Sequence, residues 1–127
     1  MNYLLDTHIF LWWVMDDPKL DDNIRELIGN APSNLLLSAA SAWEMAIKAQ
    51  AGKLTLPESV VEFTQKQLAL NDIGSLDITT EHALTIFRLP MHHKDPFDRM
   101  LIAQAMVEDL ILITNDELIR QYDVRVV

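Results

Sequence analysis

The sequence predicts an α/β protein built on a parallel sheet covered by helices on both faces. Two observations carry this prediction. The candidate strands are solid apolar runs rather than alternating ones (YLL, LLLS, LILIT), and stretches with helical start and stop signals separate them. A third observation bounds the answer. The chain has 127 residues, 50% of them hydrophobic, with three glycines, five prolines and no internal repeat, which is about one domain's worth with core enough to need no staples. Residues 1–127 are accordingly read as one domain.

Residues 2–6 (NYLLD) read as a buried strand, and Thr7 to Met15 as an apolar helix stopped at Asp16-Asp17-Pro18. A polar helix is expected from Asp21 to Ile28, ending near Gly29-Asn30. Leu35 to Ser38 is the second strand, and Ser41 starts a helix (SAWEMAIKAQA) that Gly52 stops. Pro57 opens another helix, through Leu70. Residues 73–78 (IGSLDI) form a weaker strand broken by Gly74, and Thr79 or Thr80 caps a helix that runs to Leu89 before Pro90. After the loop MHHKDP come an apolar helix from Phe97 to Glu108, a buried strand from Leu110 to Thr114, a short helix from Asp116 to Tyr122 and a last strand from Val124 to Val127.

The chain has no cysteine, which removes disulfides, thiolate nucleophiles and thiolate metal sites together. The N-terminal apolar stretch has no basic leader and is interrupted by Asp6, and no segment reaches the roughly 18 uninterrupted apolar residues of a membrane span. The expectation is a cytoplasmic protein with no membrane partner. Nineteen acidic residues against ten basic ones give a formal charge of -9, the wrong sign for holding nucleic acid by counterion release alone. A polyanionic substrate is compatible with this charge only if cations stand between it and the protein.

Four acids fall at equivalent structural points. Asp6 ends the first strand, Glu44 lies in the first turn after the second, Asp98 opens the helix leading into LILIT, and Asp116 follows LILIT. In a parallel sheet with right-handed crossovers these points share one edge, the edge where open α/β proteins place their ligands. Each acid taken alone is more simply a helix cap: Ser41-Ala-Trp-Glu44 fits a capping box, and Asp95-Pro-Phe-Asp98 resembles one. Together they are costly, because charges ~5 Å apart repel by roughly 3 kcal/mol per pair at an effective dielectric near 20. A divalent cation resolves the crowding. Oxygen ligands without thiolates suit Mg²⁺ or Mn²⁺, and a pair of such ions can activate a water and stabilise the leaving oxygen in phosphodiester cleavage.

Thr7 and Thr114, beside Asp6 and Asp116, are candidates for orienting a carboxylate, with helix capping an equal alternative. Arg99 and Lys94 flank Asp98 and are candidates for phosphate contact, although surface pairing is simpler. Lys48 is most simply the i,i+4 partner of Glu44. His82 reads as structural, and His8, His92 and His93 lack the paired spacing of a zinc site, so none of the four is placed in the site.

The stretches "LLDTHIFLWW", "SAASAWEMAIKAQAGKL", "LPMHHKDPFDRMLIAQA" and "LITND", in that order and spacing, resemble the successive motifs of PIN-domain proteins, specifically the VapC-like toxins of toxin-antitoxin pairs. The resemblance spans essentially the whole chain. It implies a three-layer α/β/α sandwich with a central, mainly parallel sheet, and a Mg²⁺- or Mn²⁺-dependent endoribonuclease. By motif, Asp6, Glu44, Asp98 and Asp116 match the family's acids and Thr114 its small hydroxyl residue, with Asp95 and Glu117 as neighbours able to assist. A homodimer and a cognate antitoxin whose tail occupies the active-site groove are also implied. Two rivals are kept beside this reading. An aspartate-based phosphatase would want an acid where His8 stands, and a degenerate PIN-like module would act by binding protein or RNA.

Overall fold

Four short strands, Tyr3–Leu5 (β1), Leu35–Ser38 (β2), Gly74–Leu76 (β3) and Ile111–Ile113 (β4), form one parallel sheet in the order β3-β2-β1-β4. The computed structural model describes residues 2–31 and 34–127. Tyr3 lies opposite both Leu35 and Ile111, so β1 is the central strand of the aliphatic trio, while β3 pairs with the outer side of β2 from Leu36 opposite Gly74. The helices are Thr7–Val14 (α1), Asp22–Gly29 (α2), Ala39–Gln50 (α3), Val60–Leu70 (α4), Thr80–Thr85 (α5) and Pro96–Glu108 (α6), with 3₁₀ turns at Ile86–Arg88 and Ile119–Gln121.

Successive strand residues point to opposite faces, and here both faces are buried. Leu4 and Leu112 join Leu101, Ile102 and Ala105 of α6 in one apolar cluster, whereas Leu5 and Ile113 join Ile9 and Phe10 of α1 and Ile28 of α2 in another. Helices therefore cover the sheet on both sides, giving the three-layer α/β/α sandwich. The solid apolar runs of β1, β2 and β4 follow from this double burial. No helix among the described residues is long and apolar enough to cross a membrane.

The strand order sets up the site. From β1 the chain steps outward to β2 and β3, then returns to place β4 on the other side of β1. The crevice at the carboxyl ends of β1 and β4 is the topological switch point.

Several boundaries differ from the sequence expectation. α3 begins at Ala39, not Ser41: Ser38, extended at the end of β2, accepts the Ala40 N–H at 2.9 Å and caps the helix first. Ser41 thus lies inside the helix, and the Ser41-Glu44 capping box does not form. α4 starts at Val60 behind a Ser59 cap rather than at Pro57. Thr79 caps α5 in a capping box with His82, and the helix tightens into the 3₁₀ turn before Leu89. β1, β3 and β4 are each shorter than expected. After β4, Asp116 accepts the Leu118 N–H in a local turn, so the expected helix from Asp116 to Tyr122 shrinks to the 3₁₀ turn. Val124 to Val127 supply one parallel bridge, Val126 to Leu112, instead of a strand. Gly52 does end α3, with a positive φ of 75° that glycine adopts without strain.

Two stability effects follow. Leu4→Ala, at a fully buried position between the layers, is expected to lower the unfolding free energy by about 2–5 kcal/mol in a urea titration. Ser38→Ala is expected to cost about 1 kcal/mol by loss of the α3 cap, and no loss would return the cap to Ser41.

Candidate metal centre

Acids stand on both sides of the switch point, and one hydroxyl joins them. Asp6, directly after β1 and 3% exposed, caps α1 by accepting the His8 N–H on Oδ1 at 3.3 Å. Its Oδ2 accepts the Thr114 hydroxyl at 2.5 Å from the end of β4. Thr114 Oγ1 in turn accepts the Asp116 N–H at 3.0 Å, so the first acid is tied to the backbone that carries the last. Asp116 Oδ1 accepts the Leu118 N–H at 2.8 Å, and Oδ2 lies 2.9 Å from His93 Nε2.

α3 brings Glu44 to the same edge. This residue is 3% exposed; its Oε2 receives the Lys48 ammonium at 2.7 Å, and its buried Oε1 has no hydrogen-bond partner among the described residues. The bond to Glu44 raises the Lys48 pKa against the opposing effect of burial, with Asp95 and Asp98 adding to the rise. Lys48 is thus the i,i+4 partner that the spacing predicts, and its charge also faces the other acids.

α6 contributes Asp98 one turn past its cap. Asp95 is that cap, accepting the Phe97 and Asp98 N–H groups on Oδ1 at 2.8 and 3.2 Å, with Pro96 at the first helical position. Burial pushes the Asp98 carboxyl up to about 7, with the charges of Asp6, Asp95 and Glu44 pushing the same way and His93 opposing. The Asp6 carboxyl is also raised, chiefly by burial; the bonds from Thr114 and His8 oppose the rise, and Asp116 adds to it. Asp98 therefore feels both Asp6 and Glu44, and Asp6 feels Asp116: the acids after three different strands meet electrostatically at one edge.

The tightest group is narrower than the four acids. Among the described residues, ligand atoms of Asp98, Asp116 and His93 lie within 4.8 Å of one another, with Asp6 and Glu44 outside this trio. His93, left out of the site at the sequence level, is 3.0 Å from Asp98 Oδ2 and belongs there. A histidine two residues before the helix-capping aspartate in HKDPFD was the available signal. Arg99 goes the other way. It is buried, and its guanidinium serves the carbonyls of Ile86, Pro90 and His93 and the Tyr122 hydroxyl, which leaves it no route to a phosphate. Thr7 donates to Ser41 Oγ at 2.8 Å rather than to a carboxylate. Glu117 is exposed, and so is His8, the position where a phosphatase would want its second acid.

The family model for the PIN domain matches residues 3–125. The chain belongs to the PIN-domain family. It is 31% identical over 120 residues to Ribonuclease VapC22 of Mycobacterium tuberculosis, covering 94% of this chain and 90% of that protein. Over 64 residues, 50% of this chain and 44% of the relative, it is 34% identical to Ribonuclease VapC16 of the same organism. Its fold is that of the DNA-bound VapBC structure from Salmonella typhimurium (TM-score 0.75, 19% identity, 100% of this chain and 97% of the other). VapBC2 from Rickettsia felis, bound to a promoter DNA fragment, is similar as well (TM-score 0.70, 18% identity, 100% and 98% covered).

This PIN domain thus holds a buried acidic cluster whose donors are chemically suited to a hard dication. They are oxygens without thiolates, one of them is a buried carboxylate oxygen with no partner, and one carboxyl resists ionisation. A cation at this edge would relieve both strains.

The raised Asp98 pKa has a defined consequence for stability. In the unfolded chain Asp98 ionises near the ordinary value of about 4, so between there and about 7 the folded state keeps a proton that the unfolded state has lost. Stability then falls as pH rises through that window. In EDTA, the melting temperature is expected to drop by on the order of 5 °C between pH 5 and pH 7.5, and Asp98→Asn to remove most of that slope. Parallel slopes for the two proteins would mean that Asp98 ionises normally.

Proposed function

We propose that residues 1–127 form a single PIN nuclease domain acting as a metal-dependent endoribonuclease, the toxin of a toxin-antitoxin pair, in the cytoplasm. Membership of the PIN family and the likeness to a VapC ribonuclease along nearly the whole chain support this reading. The observation that carries it is Glu44 Oε1, buried without a partner among the described residues at the same edge as a carboxyl held protonated up to about 7. A mere binding module has no use for either strain.

Asp6, Glu44, Asp98 and Asp116 would hold one or two Mg²⁺ or Mn²⁺ ions. Such ions supply water activation and stabilisation of the departing oxygen in phosphodiester hydrolysis. The chain's own residues do the rest. Thr114 fixes the Asp6 carboxylate by its hydroxyl and the Asp116 backbone by its oxygen, so β1 and β4 present their acids in one register. Lys48 holds one oxygen of Glu44, while the other is buried without a partner among the described residues. Asp95 caps α6 and so sets where Asp98 stands. With a formal charge of -9 on the protein, the cations also admit the polyanionic RNA that the surface would otherwise repel.

The partners proposed are RNA as substrate, a cognate antitoxin protein and a second copy of this chain. The VapBC complexes of Salmonella typhimurium and Rickettsia felis and a toxin-antitoxin complex of Klebsiella pneumoniae, which share the fold, motivate the antitoxin.

The test is cleavage of total cellular RNA, with cutting sites mapped. Wild type with Mn²⁺ or Mg²⁺ is expected to cut, EDTA to abolish cutting, and Asp98→Asn and Glu44→Gln each to reduce it at least about 100-fold, on the scale of removing an essential electrostatic group. Equal cutting in EDTA would refute the mechanism. A burst of phosphoenzyme from a small phosphoester would point to the phosphatase instead, and unchanged growth inhibition by Asp6→Asn to a binding module.

A further inference from the structure

His93 sits in the acid cluster without a role in the reading above, and its surroundings limit what it can do. Its Nδ1 accepts the Asp95 main-chain N–H at 3.1 Å, so the ring proton belongs on Nε2. Nε2 faces Asp116 Oδ2 at 2.9 Å and Asp98 Oδ2 at 3.0 Å. The main chain of His93 is pinned as well. Its N–H donates to the Tyr122 hydroxyl at 2.8 Å, that hydroxyl donates to the Pro90 carbonyl at 2.7 Å, and the His93 carbonyl accepts from Arg99 at 3.3 Å.

The trio of His93, Asp98 and Asp116 has the look of a three-ligand metal site, but a histidine ligates through a bare ring nitrogen. Baring Nε2 would move the proton to Nδ1, against the Asp95 N–H. Asp95 cannot easily turn that N–H aside, because its own carboxylate caps α6. We propose that His93 is a positioning residue whose Nε2–H donates to the Asp116 carboxylate with the Asp98 carboxylate in close contact beside it, and not a metal ligand. Arg99 and Tyr122 extend this role: they hold the 86–93 loop so that the ring reaches both acids. The inference rests on the reading that the acids hold a dication, and it makes the ligand set oxygen-only. Such a set favours Mg²⁺ or Mn²⁺, whereas an imidazole ligand would also suit zinc.

The experiment uses the full chain. The His93 tautomer is read by long-range ¹H–¹⁵N NMR, assigned by its loss in His93→Gln, without metal and with the diamagnetic Mg²⁺; Mn²⁺ and Zn²⁺ affinities are read by calorimetry for wild type, His93→Ala and His93→Gln. The Nε2–H tautomer is expected in both states. His93→Ala is expected to weaken Mn²⁺ binding about 10-fold, as loss of a ligand-orienting partner does, and His93→Gln, which keeps an N–H donor and serves where the alanine variant does not fold, to recover most of it. A switch to Nδ1–H on adding Mg²⁺ would overturn the proposal. So would unchanged Mn²⁺ affinity in His93→Ala, or a His93→Gln variant no better than alanine alongside a strong zinc preference in wild type. None of these measurements reads RNA cleavage. A chain that passes them and cuts no RNA removes the ribonuclease and keeps His93, while one that binds neither Mg²⁺ nor Mn²⁺ overturns both.

Discussion

Like-charge crowding at the switch point between β1 and β4 is the constraint to which the rest of this structure answers. Parallel topology forces the ends of β1, β2 and β4 and the starts of the following helices onto one edge. Asp6, Glu44 and Asp116 follow those strands, and Asp98 begins the helix that leads back into the sheet. The result is a set of carboxyls at the rim of the core that cannot all ionise at ordinary cost. At Asp98, burial first and then the charges of Asp6, Asp95 and Glu44 push the carboxyl up to about 7.

The protein tolerates the crowding through a few neutral or cationic contacts, each placed by a different element. Thr114 donates to Asp6, Lys48 to Glu44 and His93 to Asp116, while the N–H groups at the starts of α1 and α6 serve Asp6 and Asp95. None of these partners fills every lone pair, and Glu44 Oε1 has no partner among the described residues. These contacts order the acids and still leave lone pairs that a cation would fill.

The parts of this picture that were legible in the sequence are those that depend on local pattern and on topology. Solid apolar runs gave β1, β2 and β4 because both faces of the sheet are buried, and the positions of Asp6, Glu44 and Asp116 after strands and of Asp98 at a helix start pointed to the shared edge. Local pattern failed where two local solutions compete. Ser38 and Ser41 both suit a helix start, and the winner is the serine already extended at the end of β2. The expected helix after Asp116 lost to a side-chain turn on the Leu118 N–H, and the last strand shrank to a bridge. Least legible were contacts between distant parts of the chain. His93 meets Asp116 from 23 positions away, and Arg99 turns from the acids toward main-chain carbonyls that no spacing rule points to.

Magnitudes decide why the fold alone does not settle the charges. The starts of α1 and α6 direct their partial positive ends at this edge, an effect of about 0.3–1 kcal/mol each. Repulsion between carboxylates ~5 Å apart is roughly 3 kcal/mol per pair at an effective dielectric near 20. Helix dipoles and single hydrogen bonds therefore offset part of the crowding and no more, which agrees with Asp98 remaining raised despite its place in the first turn of α6. Burial contributes the largest share of the deficit at Asp6 and Asp98, since the flanking apolar clusters that give β1 and β4 their stability also exclude water from this edge. Stability of the sheet and discomfort of the acids thus have the same origin. A substitution that relieved the acids by opening the core would loosen the strands that hold them in register, whereas a small, highly charged ligand at the crevice would relieve them with the core intact.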